Sequence, residues 1–191
     1  SLCDEADAGY YVDSTASTTQ TVCSTGTYQP DTGQTSCDDA EAGYYVDSIG
    51  SDFQIECYKG SYQPDTGQTS CDDADAGYYV DSTGQSTQTA CAAGTYQADT
   101  GQTSCDDADA GYYVDSTAQS SQTACAAGTY QANTGQSSCN NADAGYYVDS
   151  TAQTSQTACG LGTYQPSTGQ TSCTDAAAGY YVGSTGQESQ T

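Results

Sequence analysis

Eleven cysteines stand at Cys3, Cys23, Cys37, Cys57, Cys71, Cys91, Cys105, Cys125, Cys139, Cys159 and Cys173, and the gaps between them alternate between 20 and 14 residues. That is a 34-residue period, kept without an insertion through more than five copies. A period of this length means one small supersecondary unit stacked on itself, because such a unit can bury its apolar face only against a neighbour. The expected product is an elongated array and not a globule. Cut at the cysteines, 1–2 closes a preceding unit. Full units follow at 3–36, 37–70, 71–104, 105–138 and 139–172, with a partial one at 173–191.

Composition removes the usual ways of holding such a chain together. Leu occurs only at Leu2 and Leu161, Phe only at Phe53, and Trp and Met never. The apolar fraction is mostly Ala, Tyr and Cys, too poor for an aliphatic core. Periodic cysteines in such a chain read as a disulfide framework, which places it in an oxidising setting, outside the cell or on its surface. Zinc ligation is the competing use of cysteine. It favours closely spaced pairs and often histidine, and the chain has neither C-x-x-C nor His.

The halves of each unit align with one another. Gly77-Tyr78-Tyr79-Val80-Asp81-Ser82-Thr83-Gly84-Gln85 matches Gly94-Thr95-Tyr96-Gln97-Ala98-Asp99-Thr100-Gly101-Gln102 without a gap. Each half reads as a short β-hairpin. The Gly-Tyr-Tyr-Val arm is strand-prone. Asp-Ser-Thr-Gly or Asp-Thr-Gly carries turn chemistry, and Gln-Thr-x-Cys returns as a second short strand. No segment has a 3.6-residue apolar period. The fold expected is therefore all-β with irregular connections, a disulfide-stapled tandem repeat of short hairpins with essentially no helix. A glycine precedes every Tyr-Tyr pair, at Gly9, Gly43, Gly77, Gly111, Gly145 and Gly179. Close backbone approach or a bend at each stacking step would require it.

Tyrosine is left to do the packing. One series is Tyr10, Tyr44, Tyr78, Tyr112, Tyr146 and Tyr180, and another is Tyr28, Tyr62, Tyr96, Tyr130 and Tyr164. Tyr11 and its repeats adjoin the first series. Neighbouring strand residues point to opposite faces, so one tyrosine of each pair is expected to pack on the next half-unit and the other to line the outside. A sugar-binding aromatic strip is the sharper alternative.

The cysteine spacing allows two neighbour pairings. One closes the 14-residue gap, joining Cys23 to Cys37, Cys57 to Cys71, Cys91 to Cys105, Cys125 to Cys139 and Cys159 to Cys173, and leaves Cys3 for a partner outside the chain. The other closes the 20-residue gap and leaves Cys173 over. Loop entropy barely separates them, at about 3 kcal/mol for either ring. Near-equal arms around Asp99-Thr100-Gly101 lean toward the shorter ring without deciding. The motif C-x-x-G-[TS]-Y-x-x-x-T-G-Q-[TS]-S-C resembles the cysteine-rich repeats of the ephrin-receptor-like class, and more distantly tumour-necrosis-factor-receptor-like modules. The resemblance covers the second half of each unit. It implies the shorter ring, since in that class a C-x-x-G-x-Y arm is bonded to a cysteine about 14 residues on.

The second unit differs from the rest. Ile49, Phe53, Ile55, Tyr58 and Lys59 replace small residues, gathering bulky side chains and the only cation within about ten positions. This is the candidate contact with another chain. Charge is graded as well: from Cys3 onward the five full units carry 5, 7, 5, 4 and 2 acids.

With 25 acidic residues, one Lys and no Arg or His, the net charge is −24. Phosphate cannot be neutralised, so nucleic acid is not an expected partner. No apolar run approaches the length needed to span a bilayer, so membrane insertion is not expected either. Asp72, Asp73, Asp75 and Asp81 are weak calcium candidates, since their spacing misses the EF-hand pattern and the run fades to Asn140-Asn141 in the fifth unit. No other cofactor is expected. An enzyme is not expected, because without His or Arg there is no Ser-His or Cys-His pair, and no phosphate-cradling Gly loop stands beside a Lys. The Ser- and Thr-rich surface suits O-linked sugars. Both ends fall at mid-array phase, which suggests a window of a longer array. The reading that unites these features is a structural extracellular element (fibre, filament subunit or surface stalk) that self-associates. The alternative is an adhesin or receptor-type module that recognises glycan or protein along its face.

Overall fold

The computed structural model describes residues 5–14 and 17–191. Among those residues there is no helix, and twenty two-residue strands pair into ten antiparallel hairpins, each its own two-stranded sheet. The chain is the all-β, disulfide-stapled hairpin repeat its sequence calls for.

The hairpins begin at Tyr10, Thr27, Tyr44, Ser61 and Tyr78, so the structural step is 17 residues, half the cysteine period. The strand Tyr78–Tyr79 pairs with Thr89–Ala90, as the Gln-Thr-x-Cys reading requires. The next hairpin departs from that reading. Thr95–Tyr96 pairs with Asp106–Asp107, beyond Cys105, and not with Gln102-Thr103-Ser104. Nine residues separate the paired strands in both cases, and this constant loop sets the register. The cysteine shifts relative to the strands, following the return strand at Cys91 and preceding it at Cys105. This hairpin therefore straddles the boundary drawn between 104 and 105.

The chain divides into two compact units, Ser1–Ala90 with Asp99–Ser104, and Cys91–Ala98 with Cys105–Thr191. Within each, one set of backbone bonds ties hairpin to hairpin. In the first unit Gly26 N donates to Val46 O at 2.8 Å, Gln29 N to Ser51 O at 3.1 Å, and Gly50 N to Cys23 O at 2.8 Å. In the second the equivalents are Gly128 to Val148 at 2.8 Å, Gln131 to Gln153 at 3.0 Å, and Ala152 to Cys125 at 2.8 Å. Isolated two-residue ribbons would not persist in water, so these bonds and the staples carry the fold.

The stack is tight enough to demand glycine. Gly43 sits at φ +88°, and a Cβ there would collide with the carbonyl of Gly84, two hairpins on. Both reasons anticipated for the glycine, a left-handed bend and close backbone approach, act at this residue.

Each unit buries two alternating sets of residues. One alternates cysteine with alanine: Cys23, Ala40, Cys57 and Ala74 in the first unit, and Cys91, Ala108, Cys125, Ala142 and Cys159 in the second, all 0 % exposed. The other alternates glutamine with valine: Gln29, Val46, Gln63 and Val80, then Gln97, Val114, Gln131, Val148, Gln165 and Val182, all buried. Each buried valine contributes roughly 2 kcal/mol. The glutamines are tolerated because their amides are matched. Gln63 Nε2 donates to Ser70 O at 2.9 Å, while its Oε1 accepts from Asp65 N at 3.1 Å.

Candidate functional site

The first repeated arrangement is the staple. Cys23 joins Cys37, Cys57 joins Cys71, Cys91 joins Cys105, Cys125 joins Cys139 and Cys159 joins Cys173, each across 14 residues. The partners are not equivalent. The first cysteine of each pair belongs to the buried cysteine and alanine set, and the second is partly exposed. The buried glutamine works inside this ring: Gln29 donates to Ser36 O at 3.0 Å, next to Cys37. Cys3 lies outside the described residues.

The intervening hairpins carry a second staple that sequence reasoning missed. Where Cys37 stands in one hairpin, a 17-residue shift finds Gln20 and Gln54. Gln20 Oε1 accepts from Asp7 N at 2.8 Å, and its Nε2 donates to Asp7 Oδ2 at 2.8 Å. The same two-point clasp joins Gln54 to Glu41, Gln88 to Asp75, Gln122 to Asp109 and Gln156 to Asp143. Gln190 keeps the backbone half of it, accepting from Ala177 N at 2.6 Å. The signal was present as glutamines at the cysteine period. Polar residues read one at a time do not reveal that their amides close a ring.

The tyrosines divide by face. Directly paired residues project on the same side of a ribbon. Tyr44 stands opposite Glu56, and both border Gly84. Tyr10 and Val22 border Gly50 in the same way, and Tyr146 and Ala158 border Gly186. Tyr10, Tyr44, Tyr78, Tyr112 and Tyr146 occupy this face of their ribbons, which covers a later turn wherever its neighbours are seen. The other face carries Tyr11 opposite Thr21, Tyr28 opposite Asp38, Tyr62 opposite Asp72 and Tyr79 opposite Thr89. Those partners are exposed.

So Tyr28, Tyr62, Tyr96, Tyr130 and Tyr164 do not group with the Tyr10 series. They interleave with Tyr11, Tyr45, Tyr79, Tyr113 and Tyr147 at 17-residue steps on the opposite strand face, each across from an exposed residue except Tyr45, whose partner Ile55 is half-buried. Members of both faces are half-buried, so the expected split is one of direction and not of exposure. Tyr180 and Tyr181 differ, at 57 % and 66 % exposed. Burial, reinforced by Glu41 and Asp38, pushes the Tyr28 phenol above its ordinary value. Burial, with Asp75 and Asp72, does the same to Tyr62.

The acidic candidates for calcium do not converge. Asp73 accepts from Tyr58 Oη at 3.0 Å, Asp75 is held by Gln88, Asp81 accepts from Ser82 at 2.9 Å, and Asp72 is exposed on its strand. Among the described residues no three metal-ligating side chains gather. In the divergent hairpins Ile49, Phe53 and Tyr58 are 68 %, 60 % and 61 % exposed, Lys59 is exposed, and Ile55 is half-buried opposite Tyr45. The hydrogen bond to Asp73 raises the Tyr58 phenol above its ordinary value.

No family model matches the chain, and no curated protein matches it.

Proposed function

We propose that this chain is a structural element of an extracellular array, a fibre, filament subunit or surface stalk, and that it has no catalytic role. The observation that supports this reading is one set of hairpin-to-hairpin bonds repeated through each unit, with a covalent staple in every second hairpin. Each bridge withholds its 14-residue loop from a load along the chain, so only the 20-residue stretches between bridges, such as Cys37 to Cys57, can be drawn out. The acidic surface keeps copies apart in solution, and the exposed Ile49, Phe53, Tyr58 and Lys59 supply a self-association contact. O-linked sugar on the exposed Ser and Thr would raise the intact mass above 19.6 kDa.

Electron microscopy of the native material tests this reading. Uniform filaments that carry the chain are expected, and a chain found only as dispersed single molecules would sink it.

The tyrosine face favours a second reading, a glycan-binding module. Half-exposed rings at constant steps, flanked by Thr and Asn in the second unit (Tyr113 with Thr123, Tyr130 with Asn140, Tyr147 with Thr157), suit stacking on neutral sugars. Glycan-array binding that Tyr113→Ala and Tyr147→Ala abolish would favour it over the first.

A further inference from the structure

The five bridges share an asymmetry that has chemical consequences. In every pair the N-terminal cysteine (Cys23, Cys57, Cys91, Cys125, Cys159) is 0 % exposed, and the C-terminal one (Cys37, Cys71, Cys105, Cys139, Cys173) is partly exposed. Thiol–disulfide exchange needs an incoming thiolate to reach one sulfur in line with the bond it breaks. Solvent offers that approach only from the outer side. We propose that Cys37, Cys71, Cys105, Cys139 and Cys173 are the sites at which this chain forms mixed disulfides with external thiols, and that the buried cysteines are self-closing resolving groups.

The step balances as an exchange. A thiolate attacks Sγ of Cys71 and a new S–S bond forms there. The Cys57–Cys71 bond breaks, the electron pair leaves on Cys57 Sγ, and that sulfur takes a proton from solvent. One disulfide is consumed and one is made, with no net oxidation.

Access and leaving-group chemistry oppose each other. The buried sulfur is the poorer leaving group, since burial disfavours its thiolate. Attack on the buried sulfur would release the better leaving group, but no thiol reaches it. Access therefore chooses the sulfur, and the buried leaving group makes the step slow.

The reverse step is favoured by position. Cys57 is held by bonds that do not depend on the bridge. Its N donates to Gly43 O at 2.9 Å, and its O accepts from Gly84 N at 2.9 Å. Gln63 pins the far arm through Ser70 O at 2.9 Å. The freed Cys57 thiol thus stays beside the mixed disulfide at Cys71 and expels the external thiol as the bridge re-forms. The proposal rests on the bridges and not on the fibre reading, and it would survive failure of that reading.

The test treats the folded chain with excess reduced glutathione, quenches in acid, alkylates free thiols and maps the peptides by mass. Glutathione is expected on Cys37, Cys71, Cys105, Cys139 and Cys173 at least tenfold over their partners, with the alkyl label on Cys23, Cys57, Cys91, Cys125 and Cys159. Chain unfolded in denaturant should carry glutathione on both members of each pair. After glutathione is removed from the folded sample, the adducts should fall without added oxidant. Adducts placed equally on both cysteines of the folded chain would overturn the proposal. So would adducts that persist after removal, or a folded chain left unmodified while the unfolded chain reacts completely.

Discussion

At Gly43 the backbone is left-handed and another backbone lies where a side chain would go. Ala118 and Ala152 hold the same left-handed geometry, at φ 59° and 58°, without being glycine. They occupy the turn position filled by Gly84 and Gly101 elsewhere, where a Cβ meets only ordinary van der Waals neighbours. The two kinds of position therefore respond oppositely to substitution. Gly43→Ala should destabilise the chain by more than about 2 kcal/mol, since the left-handed cost of roughly 1 kcal/mol is joined by a backbone collision. Ala118→Gly and Ala152→Gly should each stabilise it by about 1 kcal/mol, because relief of the left-handed strain outweighs the little packing a single methyl provides there. Chemical denaturation of the three variants checks both signs, and a stabilising Gly43→Ala would refute the stacking geometry. The need for glycine before each Tyr-Tyr was legible in the sequence. Which carbonyl approaches it was not, because that oxygen belongs to a residue 41 positions on.

At the scale of the hairpin, covalent and hydrogen-bonded staples alternate. Ala74 and Gln88 stand where Cys57 and Cys71 stand in the preceding hairpin. Gln88→Ala should cost about 0.5–1.5 kcal/mol, since it removes the amide that holds Asp75 N and carboxylate while exposure lets water take its place. The double variant Ala74→Cys with Gln88→Cys should form a further bridge. Peptide mapping would show the new linkage, and two free thiols in the folded variant would refute the equivalence. The hairpin itself was readable from Tyr-Tyr-Val, the turn residues and the return arm. The clasp was not, because glutamine is usually a surface residue and nothing local marks Gln88 as the partner of Asp75, 13 residues earlier. The burial of Gln29 and Gln63 escaped for the same reason, although the gapless alignment had already set Gln97 against Val80.

Across the whole molecule, the bridges dominate stability. Five loops of 14 residues are each worth about 3 kcal/mol, about 15 kcal/mol together. That rivals the entire stability of an ordinary domain, about 5–15 kcal/mol. Complete reduction should therefore unfold the chain without denaturant, and loss of the near-ultraviolet tyrosine circular dichroism would report it. A reduced chain that kept this signal would assign the stability to the clasps and the stacking bonds. Alkali should act through the tyrosines. The phenols of Tyr28, Tyr58 and Tyr62 are raised above 10.0 in the folded chain, so the fold favours their protonated forms. Their contribution is complete below the unfolded value and is lost as pH rises through the folded ones. Stability should fall from about pH 10 upward. In a phenolate absorbance titration, Tyr28→Phe with Tyr62→Phe should remove a late-ionising component.

The amino-acid order alone determined the repeat, the absence of helix, the hairpin and its turn, and the dependence on sulfur. These follow from spacing and local backbone preference, which act over a few residues. The gapless alignment of Gly77–Gln85 with Gly94–Gln102 already carried the 17-residue step, and tertiary structure alone decided the strand pairing beyond Cys105, the glutamine clasps and the strand face each tyrosine takes. Each of those three depends on residues 10 to 13 positions apart meeting in space, and the linear pattern does not state which of several equally spaced partners will meet.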